Sequence, residues 1–151
     1  TIFKCDWSSD VCSSDLGTAI VYVRSRRRTV LIAQMLCERG ISAAAYHAGM
    51  DADEKARRQE MWKSSEIRVI VATNAFGMGI DKADVRTVIH YDLPSSLEEY
   101  YQEAGRAGRD GLPSFAVVIA KDADKGTLTV AHFRHPLDCG GRSALHLPVG
   151  V

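Results

Sequence analysis

Thr18-Ala19-Ile20-Val21-Tyr22-Val23 is the stretch whose character settles the fold. It is a continuous apolar, partly β-branched run with no alternation of polar and apolar positions. A strand with one face in water alternates. An unbroken run fits a strand covered on both faces, as in the middle of a parallel sheet. The residues C-terminal to it supply the cover. Ser25 is an N-cap residue type, and a helix is expected over residues 26–39, with Leu31 over Met35 and Ile32 over Leu36. Gly40 suits the C′ position that closes such a helix.

Outward from this unit the pattern repeats. Residues 42–46 read as a second strand. Asp51 and Glu54 stand at capping-box spacing and open a helix to about residue 64. Residues 67–72 are a third strand, 85–91 a fourth closed by Pro94, and 115–119 a fifth. Ser96 and Glu99 form a further capping box before the helix that separates the last two strands. Parallel strands need crossovers of a dozen or more residues, and helices supply most of them here. The expectation is an α/β fold, an open, mostly parallel sheet with helices on both faces. Function in such sheets sits outside the carboxyl ends of the strands. The unusual residues fall there: Arg24 and Ser25, residues 47–50, residues 73–81 and residues 92–94.

Composition narrows the class. The chain has 151 residues, enough for one domain, with 46% hydrophobic and 25% charged residues and no net charge. Any basic surface must therefore be local, and Arg24, Arg26, Arg27 and Arg28 make the best candidate. No apolar run approaches a membrane span. Cys5, Cys12, Cys37 and Cys139 form no Cys-x-x-Cys pair, so neither a zinc site nor a disulfide framework is signalled, and no residue is assigned to a metal.

The run Gln102-Glu103-Ala104-Gly105-Arg106-Ala107-Gly108-Arg109-Asp110-Gly111 carries the chemistry. It places two arginines three apart, each after a glycine. On a helix they share a face. Two permanently charged forks on a ridge kept low by Gly105 and Gly108 suit a phosphate chain. Thr73-Asn74-Ala75-Phe76-Gly77-Met78-Gly79-Ile80-Asp81 comes directly after a buried strand, and its glycines let backbone approach a ligand. It is not a dinucleotide fingerprint, because Lys82 stands where the third glycine would be.

Three segments together resemble the RecQ family of DNA helicases, over about residues 17–119. The arginine run resembles the last helicase motif, residues 72–82 resemble motif V, and Val21-Tyr22-Val23-Arg24-Ser25 resembles motif IV. Tyr46-His47-Ala48-Gly49-Met50 matches a further family segment. Two departures stand out: Val23-Arg24 replaces the family's usual Cys-Asn, and Asp81 its frequent Asn. The resemblance implies the second RecA-like domain of a helicase core. Arg109 would be an arginine finger and Arg106 its companion on the γ-phosphate side. Asp81, Gly79 and Gln102 would lie toward the nucleotide. Ser25, Arg24, Arg26, His47, Gly49, Thr73 and Asn74 would face nucleic acid.

It further implies ATP with Mg2+, bound mainly by a first RecA-like domain whose phosphate loop and Asp-Glu-x-His box do not occur in this sequence. The implied partners are DNA, as single strand and duplex junction, ATP and that first domain, with no membrane. The implied activity is 3′–5′ unwinding driven by ATP hydrolysis, in repair and recombination, in the bacterial cytoplasm or nucleoid. This half alone is expected to be inactive. An RNA helicase of the same superfamily and a non-catalytic nucleic-acid-binding fragment are the alternatives. Against the first, residues 76–79 and 100–102 lack the Arg-Gly-x-Asp and His-Arg features of the DEAD-box type. Residues 1–16 resemble a translated sequencing adapter and are set apart as a leader. Residues 17–120 are the expected domain. Residues 121–151 read as an irregular tail, either sequence read in the wrong frame or a true divergent tail, without the several cysteines of the family's zinc module.

Overall fold

The computed structural model describes residues 17–77, 80–112, 114–121 and 128–135. Along the chain run β1 (Thr18–Tyr22), α1 (Arg26–Glu38), β2 (Ala43–Tyr46), α2 (Ala52–Lys63), β3 (Val69–Ala72), β4 (Val85–His90), α3 (Leu97–Ala104), β5 (Ser114–Lys121) and β6 (Leu128–His135). The strands form one sheet in the order β2-β3-β1-β4-β5-β6, parallel from β2 to β5 and antiparallel at β6. The run that reads as a central strand is one: β1 pairs Ile20 with Ile70 on one side and Val88 on the other.

Strand periodicity sorts the side chains between two cores. Ile20 and Tyr22 join Trp62 of α2, Ile70, Ala72, Phe76 and Val88. Val21 and Val23 join Ala33 of α1, Ala45, Val69 and Val71. Helix α1 therefore covers one face and α2 the other, with α3 on the α2 side through its contact with His90. Trp62 is fully buried and donates Nε1–H to Ala19 O over 3.3 Å, which keys α2 to the central strand.

The helix ends differ in how they are closed. Gly40 has φ +79°, its N–H reaches Cys37 O and that of Ile41 reaches Leu36 O, a complete Schellman motif. Of the two expected apolar pairs on α1, Ile32 and Leu36 pack inward, while Leu31 and Met35 stay exposed. Ser25 and Asp51 hold the extended N-cap backbone but make no side-chain cap bond. Glu54 does not close its box; it pairs with Arg57 and Arg58 instead. At α3 the cap bond does form: Ser96 Oγ accepts from Glu99 N at 3.1 Å, and the Glu99 carboxylate reaches back past the cap to accept from Ser95 N at 2.7 Å.

One element departs from the sequence expectation. β6 lies in the stretch read as irregular and pairs with β5 over its full length, Ser114 with His135 through Lys121 with Leu128. An edge strand is held by its backbone ladder on one side and needs no continuous apolar run, so its sequence signal is weak. The leader at 1–16 and the rest of the tail lie outside the described residues. Among the described residues no helix is long and apolar enough to cross a membrane.

Candidate functional site

The first group of candidate residues gathers at the carboxyl ends of β1, β2 and β3. Asp92, just beyond β4, accepts from Arg24 N at 2.9 Å and pairs with Arg28 at 2.6 Å. That carboxylate fixes the start of the basic turn and neutralises one of its arginines. Arg24, Ser25 and Arg26 remain exposed. Gly49 admits the Arg26 guanidinium: a Cβ there would stand 3.2 Å from Arg26 Nη1 and 3.3 Å from His47 Nδ1. Arg26, His47 and Gly49 thus form one cluster. Burial, with the Arg26, Arg58 and Lys55 charges, pushes the His47 pKa below its ordinary value, so the ring is neutral near pH 7. Its Nδ1 is buried without a partner. Thr73 lies at the same strand end, directly after β3. It is 7% exposed and presents almost no surface, whereas its neighbour Asn74 is open.

The second group lies along the loop from β3 to β4. The strand-end rule would put all of residues 73–81 at the carboxyl ends, but this loop travels to the start of β4, and Asp81 stands four residues before it. There the arginine run is anchored: Gly108 N donates to Val85 O at 2.9 Å and Asp110 N to Ala83 O at 3.2 Å. The two arginines do not share a helix face. Helix α3 ends at Ala104 with Gly105 as C-cap, and Gly108, at φ +68°, turns the chain. Both side chains nevertheless meet the same loop. Arg109 Nη1 donates to Asp81 Oδ1 at 3.2 Å, and a Cβ on Gly77 would stand 2.6 Å from Arg106 Nη2. The Asp81 side chain is 91% exposed, so that ion pair adds little stability.

Gln102 is not part of this group. It is exposed, and its amide donates to Glu98 of its own helix at 3.5 Å. Gly79 lies outside the described residues. Sequence reasoning missed three residues behind the arginines: Tyr22, His90 and Glu103, all buried, with His90 Nε2 donating to Glu103 Oε2 at 2.7 Å. The signal available was a histidine ending an apolar strand and a glutamate one turn before an arginine. It also missed Lys82, whose Nζ donates to Lys63 O at 2.8 Å and Ser65 Oγ at 3.1 Å. An ammonium at the carboxyl end of α2 complements the helix dipole and pins the end of the loop.

Two guanidinium groups beside an open loop can grip phosphate oxygens through paired N–H donors. Arg106 Nε is buried with no partner, and Gly77 leaves the space that the guanidinium fills. Both features seat the Arg106 guanidinium against the loop. Among the described residues no cluster of His, Cys, Asp and Glu could hold a metal ion.

Residues 4–111 match the model of the helicase conserved C-terminal domain. The chain is 51% identical over 107 residues to the ATP-dependent DNA helicase RecQ of Haemophilus influenzae, covering 71% of this chain and 17% of that protein. It is 53% identical over 111 residues to the ATP-dependent DNA helicase Q-like 2 of Arabidopsis thaliana, covering 74% and 16%. The chain therefore spans about a sixth of the length of these relatives. Among solved structures it is similar to the E. coli DEAD-box protein SrmB, at a TM-score of 0.65 and 29% identity, over 72% of this chain and 64% of that one. A RecA-like sheet with its arginine run against the β3–β4 loop, and half of its residues shared with RecQ proteins where they align, place this chain in the helicase conserved C-terminal domain family, as a fragment of RecQ type.

Proposed function

We propose that this chain is the second RecA-like domain of an ATP-dependent 3′–5′ DNA helicase acting in repair and recombination, and that it supplies the arginine finger and part of the DNA-binding surface. The observation that carries the reading is the meeting of Arg106 and Arg109 on one loop, Arg109 held by Asp81 at 3.2 Å. ATP, with magnesium held mainly by a first RecA-like domain, supplies the phosphoryl group whose transfer drives the cycle. Arg109 stabilises charge developing on that group, and Arg106 orients it. Such fingers contribute ~10³–10⁵ in rate in GTPases. Arg24, Ser25, Arg26, His47, Gly49 and Asn74 form the DNA side. Thr73, Gln102 and Gly79 keep the roles the family resemblance gives them, Thr73 on the DNA side and Gln102 and Gly79 on the nucleotide side. This half acts only together with its partner domain. DNA is favoured over RNA because the sequence likeness runs to proteins named DNA helicases.

The test is steady-state ATPase on the full-length protein that carries this chain, with saturating single-stranded DNA. Arg109→Ala is expected to lower kcat by a factor of ~10³ or more while DNA affinity stays within about threefold, since a group acting on transition-state charge lowers kcat rather than binding. Arg109→Lys keeps the charge but loses the fork and stays poorly active. Arg106→Ala loses activity together with ATP affinity. An Arg109→Ala protein that turns over ATP at the parental rate but no longer binds DNA would put this ridge on the DNA and overturn the assignment. Stimulation by RNA alone would overturn the choice of nucleic acid.

A further inference from the structure

A buried group of side chains joins the two halves of the site. Tyr22 is the last residue of β1, two before Arg24, and is 3% exposed. Its hydroxyl donates to Phe76 O at 3.0 Å, tying the loop that leaves β3 to the end of β1. Its ring stacks on His90 with centroids 5.4 Å apart and planes 19° from parallel. His90 is fully buried, and the Glu103 carboxylate accepts from its Nε2 at 2.7 Å. A carboxylate only accepts, so the proton sits on Nε2. Glu103 stands three residues before Arg106, whose guanidinium lies against Gly77, the residue after Phe76. Burial pushes the Tyr22 phenol far above its ordinary value, Arg106 pulls the other way, and Glu103 raises it again. The hydroxyl therefore stays protonated and remains a donor.

Such a group is a weak source of net stability. Polar side chains in a core must recover their lost hydration through well-placed bonds, and apolar residues of equal volume are often as stable or more so. What this group adds is position. A shift of the backbone at Arg24 or Asn74 is carried through two residues to the bond between Tyr22 and Phe76. The next residue, Gly77, is the seat of Arg106. Glu103 and His90 hold the other side of Tyr22, so it cannot yield independently of α3.

We propose that Tyr22, braced by His90 and Glu103, is a positioning unit that couples nucleic acid at the strand ends to the placement of Arg106. The inference rests on the helicase reading above. None of the three residues touches either ligand; they act through the loop and the arginine.

The deciding variant is Tyr22→Phe in the full-length protein, which removes one oxygen and keeps the ring. ATP turnover is measured with and without saturating single-stranded DNA, along with KM for ATP, Kd for DNA and the thermal midpoint. The DNA-stimulated kcat is expected to fall about tenfold, within the range that coupling between sites usually spans. Turnover without DNA and the Kd for DNA should stay within about twofold of the parent, while KM for ATP measured with DNA rises, because Arg106 also bears on ATP affinity. Glu103→Gln, which keeps the shape and an acceptor oxygen, should give the same split more mildly. The double variant should be no worse than Tyr22→Phe alone, because residues acting as one unit are not additive. An unchanged stimulated kcat overturns the proposal, as does a uniform fall of all parameters together with the thermal midpoint. Additive losses overturn the single-unit part of it. A parent that hydrolyses ATP without responding to DNA overturns the helicase reading itself, and is told apart by needing no variant at all.

Discussion

At the residue scale, the arginine run works by a different geometry from the one its spacing suggests. Helical spacing would align Arg106 and Arg109, and small neighbours would clear a ridge. In the structure Gly108 ends any such ridge at φ +68° and packs against Ser114. Its glycine is needed twice over, for the left-handed backbone and for the space a Cβ would take from the Ser114 hydroxyl. Gly40 provides the control, at φ +79° with nothing within 4 Å of its notional Cβ. Gly40→Ala should cost about 1 kcal/mol, the strain of left-handed backbone alone. Gly108→Ala should cost clearly more, about 2–4 kcal/mol, because strain and overpacking add. Urea denaturation of the two variants checks the difference. Equal losses would mean that Ser114 gives way freely and that backbone conformation is the whole reason for Gly108.

At the element scale, β1 and β3 were legible because an unbroken apolar run marks a strand covered on both faces, whereas β6, an antiparallel edge strand, carried no such run and was missed. The helix starts were legible within a residue or two wherever a cap residue marked them, but the end of α3 was not, since the helix stops at Ala104, short of both arginines. The use of the caps was not. Asp51 with Glu54 and Ser96 with Glu99 have equal spacing, yet only Ser96 makes the side-chain cap bond. Arg57 and Arg58 sit one turn beyond Glu54 and outcompete the backbone N–H groups for its carboxylate. Arg58 continues to Ala45 O at 2.7 Å, so the network fastens α2 to the edge strand β2. Long-range satisfaction of this kind is invisible in a local pattern, as is the Tyr22–His90–Glu103 group, whose members are far apart in sequence. The network has a pH signature. Bonds from Arg57 and then Arg58 hold the Glu54 pKa down at about 2, from an ordinary value of 4.5. Asp110 is also lowered, chiefly by Arg86. A depressed carboxylate pKa contributes stability that is complete above the ordinary value and is lost as pH falls through the folded one. The urea midpoint of the chain should therefore fall between about pH 4.5 and pH 2. Glu54→Gln should flatten that limb while changing the difference between pH 6 and pH 8 little, by roughly nothing measurable. An acid limb as steep in the variant as in the parent would show that Glu54 does not bear on it.

At the scale of the whole molecule, the sheet separates two surfaces and the β3–β4 loop runs between them. The carboxyl ends of β1 to β3 carry Arg24, Ser25, Arg26, His47, Gly49 and Asn74, and the start of β4 carries Asp81 with the arginine run. With no net charge on the chain, nothing draws DNA to the molecule at long range, and affinity must come from the basic turn itself. The structure narrows which charges count. Arg28 is already paired with Asp92 at 2.6 Å, whereas among the described residues Arg24, Arg26 and Arg27 are exposed and form no ion pair. On the proposed DNA side, these three arginines would neutralise about three phosphates. Each releases counterions worth about −0.7 in the log–log salt slope on a single strand, so the 151-residue chain should bind oligo-dT weakly with a slope of about −2. Fluorescence anisotropy from roughly 20 to 200 mM salt measures it. Arg26→Ala should reduce the slope by about 0.7, and Arg28→Ala should leave it nearly unchanged, because that charge is already engaged by Asp92. Binding that ignores salt, or an Arg28→Ala loss as large as that of Arg26→Ala, would mean that the strand does not lie across this turn.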